Sequence, residues 1–131
     1  MKKAYFIFLI SITAVAEDNV NLNECYSKTV QDEAYTCIYN KSNQLKNEYN
    51  TAFKSLLQKI KKDKKQTMNY SDLNHGLLNS KKEWDKWLEL ECSTEANVYQ
   101  KNTGFHDSIY DTCRIENYFK RIKYYREFQF K

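Results

Sequence analysis

The chain contains no proline and only two glycines, Gly76 and Gly104, among its 131 residues. Turn-rich all-β folds need many such residues, because tight turns depend on the fixed φ of proline and the conformational freedom of glycine. Their scarcity excludes a turn-rich all-β architecture and favours long helices. We therefore expect an all-α fold.

The chain also lacks an apolar run of the ~20 residues that a membrane-spanning helix requires. Its longest run, AYFIFLISITAVA, covers residues 4–16 and is interrupted by polar residues. Two lysines precede this run and the small-x-small site Ala14-Val15-Ala16 ends it, as in a secretory signal peptide. We predict a signal peptide over residues 1–16, cleaved after Ala16, and one helical domain over residues 17–131.

The first cysteine is not placed as a lipid attachment site would be. A lipidated cysteine directly follows the signal segment and small residues, whereas Cys25 follows Asn23 and Glu24. We therefore expect no membrane anchor after signal cleavage and a periplasmic or secreted protein.

The balance of charge argues against nucleic acid as a partner. The chain has 21 basic and 17 acidic residues, and loss of Lys2 and Lys3 with the signal leaves 19 basic residues, a net charge of +2. A nucleic-acid-binding domain usually carries a strongly basic face. The segment YFKRIKYYREFQFK, residues 118–131, resembles a stacking or membrane-interface helix. Its apolar residues nevertheless have the spacing of a core-facing side, which we favour.

Apolar residues recur at helical spacing in three segments. The first helix is expected from about residue 30 to the mid-60s, with Thr29 as its N-terminal cap. The second should begin near Ser71 and run to about Tyr99. Gly104, shortly after it, should adopt the left-handed conformation that commonly ends a helix. The third should begin near Asp107. We predict a long helical hairpin with a third helix packed on it. The stripe expected on the first helix consists of Ile38, Leu45, Tyr49, Phe53, Leu56 and Ile60.

Four cysteines in a small exported domain predict two disulfides. A zinc site would need closer ligand pairs than the 11, 54 and 20 residues that separate these cysteines. His75 and His106 stand apart from any second ligand at helical or turn spacing. We expect no metal and no other cofactor.

Three pairings of four cysteines are possible. In antiparallel helices that meet near Gly104, Cys92 and Cys113 lie at nearly equal height. Across the first turn, Cys37 and Cys92 are offset by about seven residues, or ~10 Å at 1.5 Å per residue. Since a disulfide joins α-carbons only ~4.4–6.8 Å apart, we favour Cys92–Cys113, which leaves Cys25–Cys37.

The segment KKEWDKWLELEC, residues 81–92, places two tryptophans in a charged helix. Trp84 shares a helix face with Leu77 and Leu88, which indicates a position in the core. Trp87 lies beside that face, so a core position and an exposed position for ligand contact are both open.

The segments around the cysteines resemble the LprI-type lysozyme-inhibitor family of small exported bacterial proteins. The resemblance runs from Cys25 to about Phe128 through NQLKNEYNTAF, LLNSKKEWDKWLELEC, GFHDSIYDTC and RIKYYREF. Lys81 and Leu88 stand where the family often has a glutamine and an arginine. The resemblance implies an exported protein that binds and blocks a lysozyme-like muramidase. Proteins of similar architecture could instead act as immunity proteins against toxins from competing bacteria, or as structural envelope proteins without inhibitory activity.

Charged residues separate toward the two ends of the predicted hairpin. Six lysines surround its turn: Lys54, Lys59, Lys61, Lys62, Lys64 and Lys65. Acidic residues gather at the opposite end, and animal lysozymes are strongly basic, so this end could attract such an enzyme. The alternative is that these residues are solvated helix faces. The candidate partner-binding residues are Glu89, Glu91, Glu95, Asp107, Asp111 and Trp87.

An enzymatic role is not expected. The sequence has no Ser-His-Asp pattern, no glycine-rich phosphate loop and no H-E-x-x-H motif. The partner that we expect is another protein.

Overall fold

The computed structural model describes residues 20–128. Four helices and no strands occur in this range, and 80% of it is helical, so the predicted all-α class is confirmed. The helices are α1 (Asn23–Tyr26), α2 (Gln31–Lys62), α3 (Tyr70–Ala96) and α4 (Gly104–Glu127). None of them is long and apolar enough to cross a bilayer. The predicted signal peptide and its cleavage site lie outside the described residues.

The start of α2 differs from the prediction. Val30, not Thr29, is the N-cap residue, and no side chain caps the free amides. The first turn is stabilised instead by the charges of Asp32 and Glu33, which face the positive end of the helix dipole. The predicted Thr29 cap is therefore wrong.

The turn between α3 and α4 also corrects the prediction for Gly104, which does not end α3 but begins α4. The left-handed residue is Asn102, with φ 61°, a conformation that asparagine tolerates better than most residues. Thr103 then caps α4, because its Oγ1 accepts a hydrogen bond from the backbone N–H of His106 at 3.2 Å. Position 104 requires glycine for space, since a Cβ there would lie 2.5 Å from Cδ2 of Tyr35.

The third long helix holds the other two together. α4 packs extensively on α2 and less on α3, whereas α2 and α3 contact each other little. Tyr35 lies against Gly104, and the ring centroids of Tyr49 and Tyr118 are 5.1 Å apart. The residue numbers differ by 69 in both pairs (104 − 35 and 118 − 49), so α2 and α4 run parallel.

Tyr49 lies at the centre of the core. Its ring centroid is 5.0 Å from that of Trp84, and its hydroxyl donates a hydrogen bond to Oδ1 of Asp85 at 2.6 Å. Burial raises the pKa of Tyr49, so the phenol stays a donor. Lys81 completes this group, with Nζ 2.8 Å from Oδ2 of Asp85 and 4.6 Å from the Tyr49 ring centroid. The predicted α2 stripe is buried at every position: Ile38, Leu45, Tyr49, Phe53, Leu56 and Ile60.

Both predicted disulfides are present. Cys25–Cys37 and Cys92–Cys113 each join α-carbons 5.4 Å apart. They fasten the same end of the molecule, which we call the disulfide end: α1, the first turns of α2 and α4, and the last turns of α3. The opposite end, which we call the tip, comprises residues 54–70.

Candidate protein-binding surface

The C-terminal half of α3 separates the two tryptophans. Trp84 is partly buried and packs against the core, as predicted. Trp87 is 45% exposed, and its ring centroid lies 6.3 Å from that of Trp84. Leu90, three residues further along α3, is 68% exposed. Trp87, which packs against Trp84, and the exposed Leu90 thus form an apolar strip on the outer side of this helix.

Two glutamates flank this strip in an unfavourable position. Glu91 and Glu95 are exposed, four residues apart, near the C-terminus of α3, and its last turn has no basic residue. Glu95 lies in the last turn, where negative charge opposes the helix dipole at a cost of about 0.3–1 kcal/mol. Glu91 lies one turn earlier, where it repels Glu95 across the i, i+4 spacing. Neither carboxylate forms an ion pair with another described residue. These two charges therefore make no evident favourable contribution to the stability of the fold.

Two other candidate acids have structural partners. Glu89 accepts a hydrogen bond from the hydroxyl of Tyr110 and so connects α3 to α4. Desolvation is the main cause of the raised pKa of Tyr110, which keeps this phenol protonated and able to donate. Asp107 lies in the first turn of α4, where it complements the helix dipole, and its Oδ1 is 2.9 Å from Nδ1 of His106. Both side chains are exposed.

Asp111 lies in the interior, with 6% of its surface exposed. Its Oδ1 is 3.4 Å from Nη1 of Arg114, which is also buried. Desolvation raises the pKa of Asp111, and Ser42 of α2 and the charge of Arg114 partly oppose that rise. Because Asp111 is buried, a partner cannot reach its carboxylate and it does not belong to the candidate surface.

Sequence reasoning missed several exposed apolar residues near this strip. They include Leu90, Val98 at 79% exposure, and the aromatic pair Tyr99 and Phe105, whose ring centroids are 4.7 Å apart. Helical spacing contained a signal for Leu90. It follows the buried Leu88 by two residues, or about 200° around the helix, and so must face outward.

The position of Leu88 explains one difference from the family pattern. Leu88 is 1% exposed and belongs to the core, so an arginine there would need a different set of partners. Lys81, at the other differing position, holds Asp85 and covers Tyr49. Both residues act within the fold and not on the candidate surface.

The fold and surface define a small, disulfide-linked helical protein that presents an apolar strip with acidic borders. A family model described as "Lysozyme inhibitor LprI" matches residues 16–124, most of the chain. The chain belongs to this lysozyme-inhibitor family. No match was found among curated proteins or among solved structures.

Proposed function

We propose that this chain is an exported inhibitor that blocks a lysozyme-like peptidoglycan hydrolase by protein–protein contact. The proposed contact surface is the outer side of the C-terminal half of α3. It consists of Trp87, Leu90, Glu91 and Glu95, with Glu89 and Asp107 at its border. The observation that carries this proposal is a pair of exposed glutamates that form no ion pair within residues 20–128, beside a half-exposed indole, in a chain of the lysozyme-inhibitor family.

Each part of this surface has a separate task in binding. Trp87 supplies a large apolar area that is already fixed against Trp84, so little side-chain entropy is lost when a partner covers it. Glu91 and Glu95 attract a basic partner and fix its orientation. Their mutual repulsion, and the unfavourable interaction of Glu95 with the helix dipole, would be relieved when a basic side chain of the hydrolase approaches.

The charge of these glutamates can be tested directly. Glu91→Lys with Glu95→Lys should weaken binding to a basic lysozyme by about tenfold or more at low ionic strength, because attraction becomes repulsion. Calorimetry and a peptidoglycan-clearing assay would measure affinity and inhibition. Glu116→Lys with Glu127→Lys makes the same charge change at exposed sites on α4 and should leave binding close to that of the wild type. An unchanged dissociation constant in the first variant would refute the proposed surface.

The proposed role involves no catalytic step. The inhibitor would occupy or cover the cleft of the hydrolase and leave peptidoglycan itself unchanged. Purified protein incubated with peptidoglycan should therefore release no soluble muropeptides. Release above that of a heat-inactivated sample would contradict this part of the proposal.

The proposed role also requires export. Two disulfides are typical of proteins that fold in an oxidising compartment, which is consistent with the periplasm or the cell exterior. Mass spectrometry of the exported chain should find Glu17 at its N-terminus and no free thiol. A retained N-terminal segment would contradict cleavage after Ala16.

A further inference from the structure

We propose that the tip of the molecule docks on the surface of an anionic phospholipid membrane and leaves the disulfide end projecting away from it. Six lysines are exposed over residues 54–65, and Asp63 is the only acidic residue within residues 54–70. Six lysines less Asp63 give this short segment a net charge of +5, more than the +4 of the whole 131-residue chain. The inference is independent of the proposed inhibitor function, because it rests on the other end of the molecule.

Helix stability explains only part of this lysine cluster. Lys59, Lys61 and Lys62 lie in the last turn of α2, where positive charge complements the helix dipole. Lys64 and Lys65 lie beyond the end of α2, in the turn that leads to α3. Nζ of Lys64 lies 5.2 Å from the ring centroid of Tyr70, a contact worth little at an exposed site. Like charges placed so closely repel one another, so most of the charge in this turn has no evident role in folding. An external anionic surface would turn that repulsion into attraction.

Met68 indicates which kind of anionic surface the tip fits. It lies in the same turn and is 97% exposed, the largest exposure among the large hydrophobic residues described. A soluble polyanion offers charge but no apolar medium, whereas a bilayer offers both. Lysine side chains suit this position because their aliphatic stems can lie in the interface while the ammonium groups reach the phosphates.

A shallow groove beside the tip has the chemistry of a lipid-headgroup site. It lies between α2 and α4 and has a volume of about 350 Å³. Two cationic side chains, Lys59 and Arg126, line it together with the hydroxyl-bearing Thr51 and Ser55. Nη2 of Arg126 also lies 3.9 Å from Oε2 of Glu48, an exposed ion pair that a phosphate group would replace. Cations and hydroxyl donors of this kind can bind a phosphate group.

The separation of charge along the molecule sets the orientation. α2 has 32 residues and is therefore ~48 Å long, whereas the Debye length at physiological salt is ~8 Å. Acidic residues at the disulfide end are thus too distant to cancel the attraction at the tip. The same anionic surface would repel them at close range, so the tip should face the membrane.

Partition into vesicles tests this inference. The oxidised protein should co-sediment with vesicles of phosphatidylcholine and phosphatidylglycerol at low salt, and not with vesicles of phosphatidylcholine alone. Each lysine near an anionic leaflet raises partition about fivefold, so Lys61→Gln, Lys64→Gln and Lys65→Gln together should lower it roughly 100-fold. Lys28→Gln, Lys46→Gln and Lys101→Gln remove the same charge from exposed sites outside the tip and should retain most of the binding.

A second readout follows Met68 itself. M68W places an indole at the tip, and its emission should shift to the blue when anionic vesicles are added. The proposal is overturned if wild-type protein does not bind anionic vesicles at low salt, or if both lysine variants lose equal affinity. It is also overturned if soluble polyphosphate binds the tip while vesicles do not. Circular dichroism would verify that each variant is folded, and none of these outcomes depends on hydrolase binding.

Discussion

The disulfide end and the tip of this molecule are held together by different forces. At the disulfide end, two covalent bonds fasten α1 to α2 and α3 to α4, and Glu89 and Tyr110 add a hydrogen bond between helices. At the tip neither disulfide is present, and α2 is held in place by buried apolar residues such as Ile60. The lysines around it repel one another. The comparison shows that unfavourable surface charge occurs at both ends, while only one end is covalently fixed. We expect local opening to begin at the tip.

The sharpest test of this comparison is Ile60→Ala. Ile60 has no exposed surface, so its truncation should lower the free energy of unfolding by about 3–4 kcal/mol. Hydrogen exchange should show lost protection near the tip, while amides around Cys92 and Cys113 remain protected. Leu88→Ala is the matched truncation nearer the disulfide end and should lower stability without selective opening of the tip. Equal loss of protection along the whole chain in Ile60→Ala would contradict the comparison.

Removal of the disulfide that joins α3 to α4 should bring the local stability of the disulfide end closer to that of the tip. Cys92→Ala with Cys113→Ala opens a link across a separation of 21 residues and should cost about 3 kcal/mol in urea unfolding. Cys25→Ala with Cys37→Ala opens a link across 12 residues that fastens only the short α1, so it should cost less. A larger loss from the second pair would mean that α1 matters more to the fold than its size indicates.

Substitution of the two glycines by alanine should change the free energy of unfolding in opposite directions. Gly104→Ala should lower the free energy of unfolding by about 2 kcal/mol, because the new Cβ would collide with Tyr35. Gly76→Ala lies in the interior of α3 with nothing within 4 Å of the new Cβ, and it should raise stability by ~1 kcal/mol. Thermal melts of the two variants provide the measurement. A stabilising effect at both sites would show that Tyr35 moves aside without cost.

The smallest effect concerns the pH dependence of the disulfide end. Because burial raises the pKa of Asp111 above its ordinary value of 3.8, the folded state binds this proton more tightly than the unfolded state. Ionisation of Asp111 therefore lowers the free energy of unfolding as pH rises from 3.8 through the folded pKa, and has no such effect below 3.8. Asp111→Asn should flatten this part of the curve in urea titrations. Curves that differ only by a constant offset would contradict this assignment.

Much of the fold could be predicted from local patterns. The α2 stripe, the core position of Trp84 and both disulfide pairings depend on helical spacing and on the reach of a covalent bond, which the sequence expresses directly. The predictions of helix ends were wrong where neighbouring residues could serve equally well as a cap or a left-handed residue. Thr29 has the chemistry of a cap, but α2 begins after Val30, and Asn102 takes the left-handed conformation expected of Gly104.

The candidate surface was only partly predictable. Glu91 and Glu95 could be placed on an exposed face, and they remain candidates. Asp111 could not be separated from them, because its burial depends on how closely α4 approaches Ser42 and the rest of α2. Leu90 was overlooked, although its distance of two residues from Leu88 contained the necessary information.

By itself, the sequence determined the helical class, the apolar stripes, the cysteine pairing and the separation of charge, because each depends on residue type and on spacing along one helix. Only the tertiary structure decided that α4 lies parallel to α2, that glycine is needed at position 104, and that Asp111 is buried while Trp87 is half exposed. These features arise where side chains from different helices meet. Contacts of that kind depend on three-dimensional packing, which no local spacing specifies.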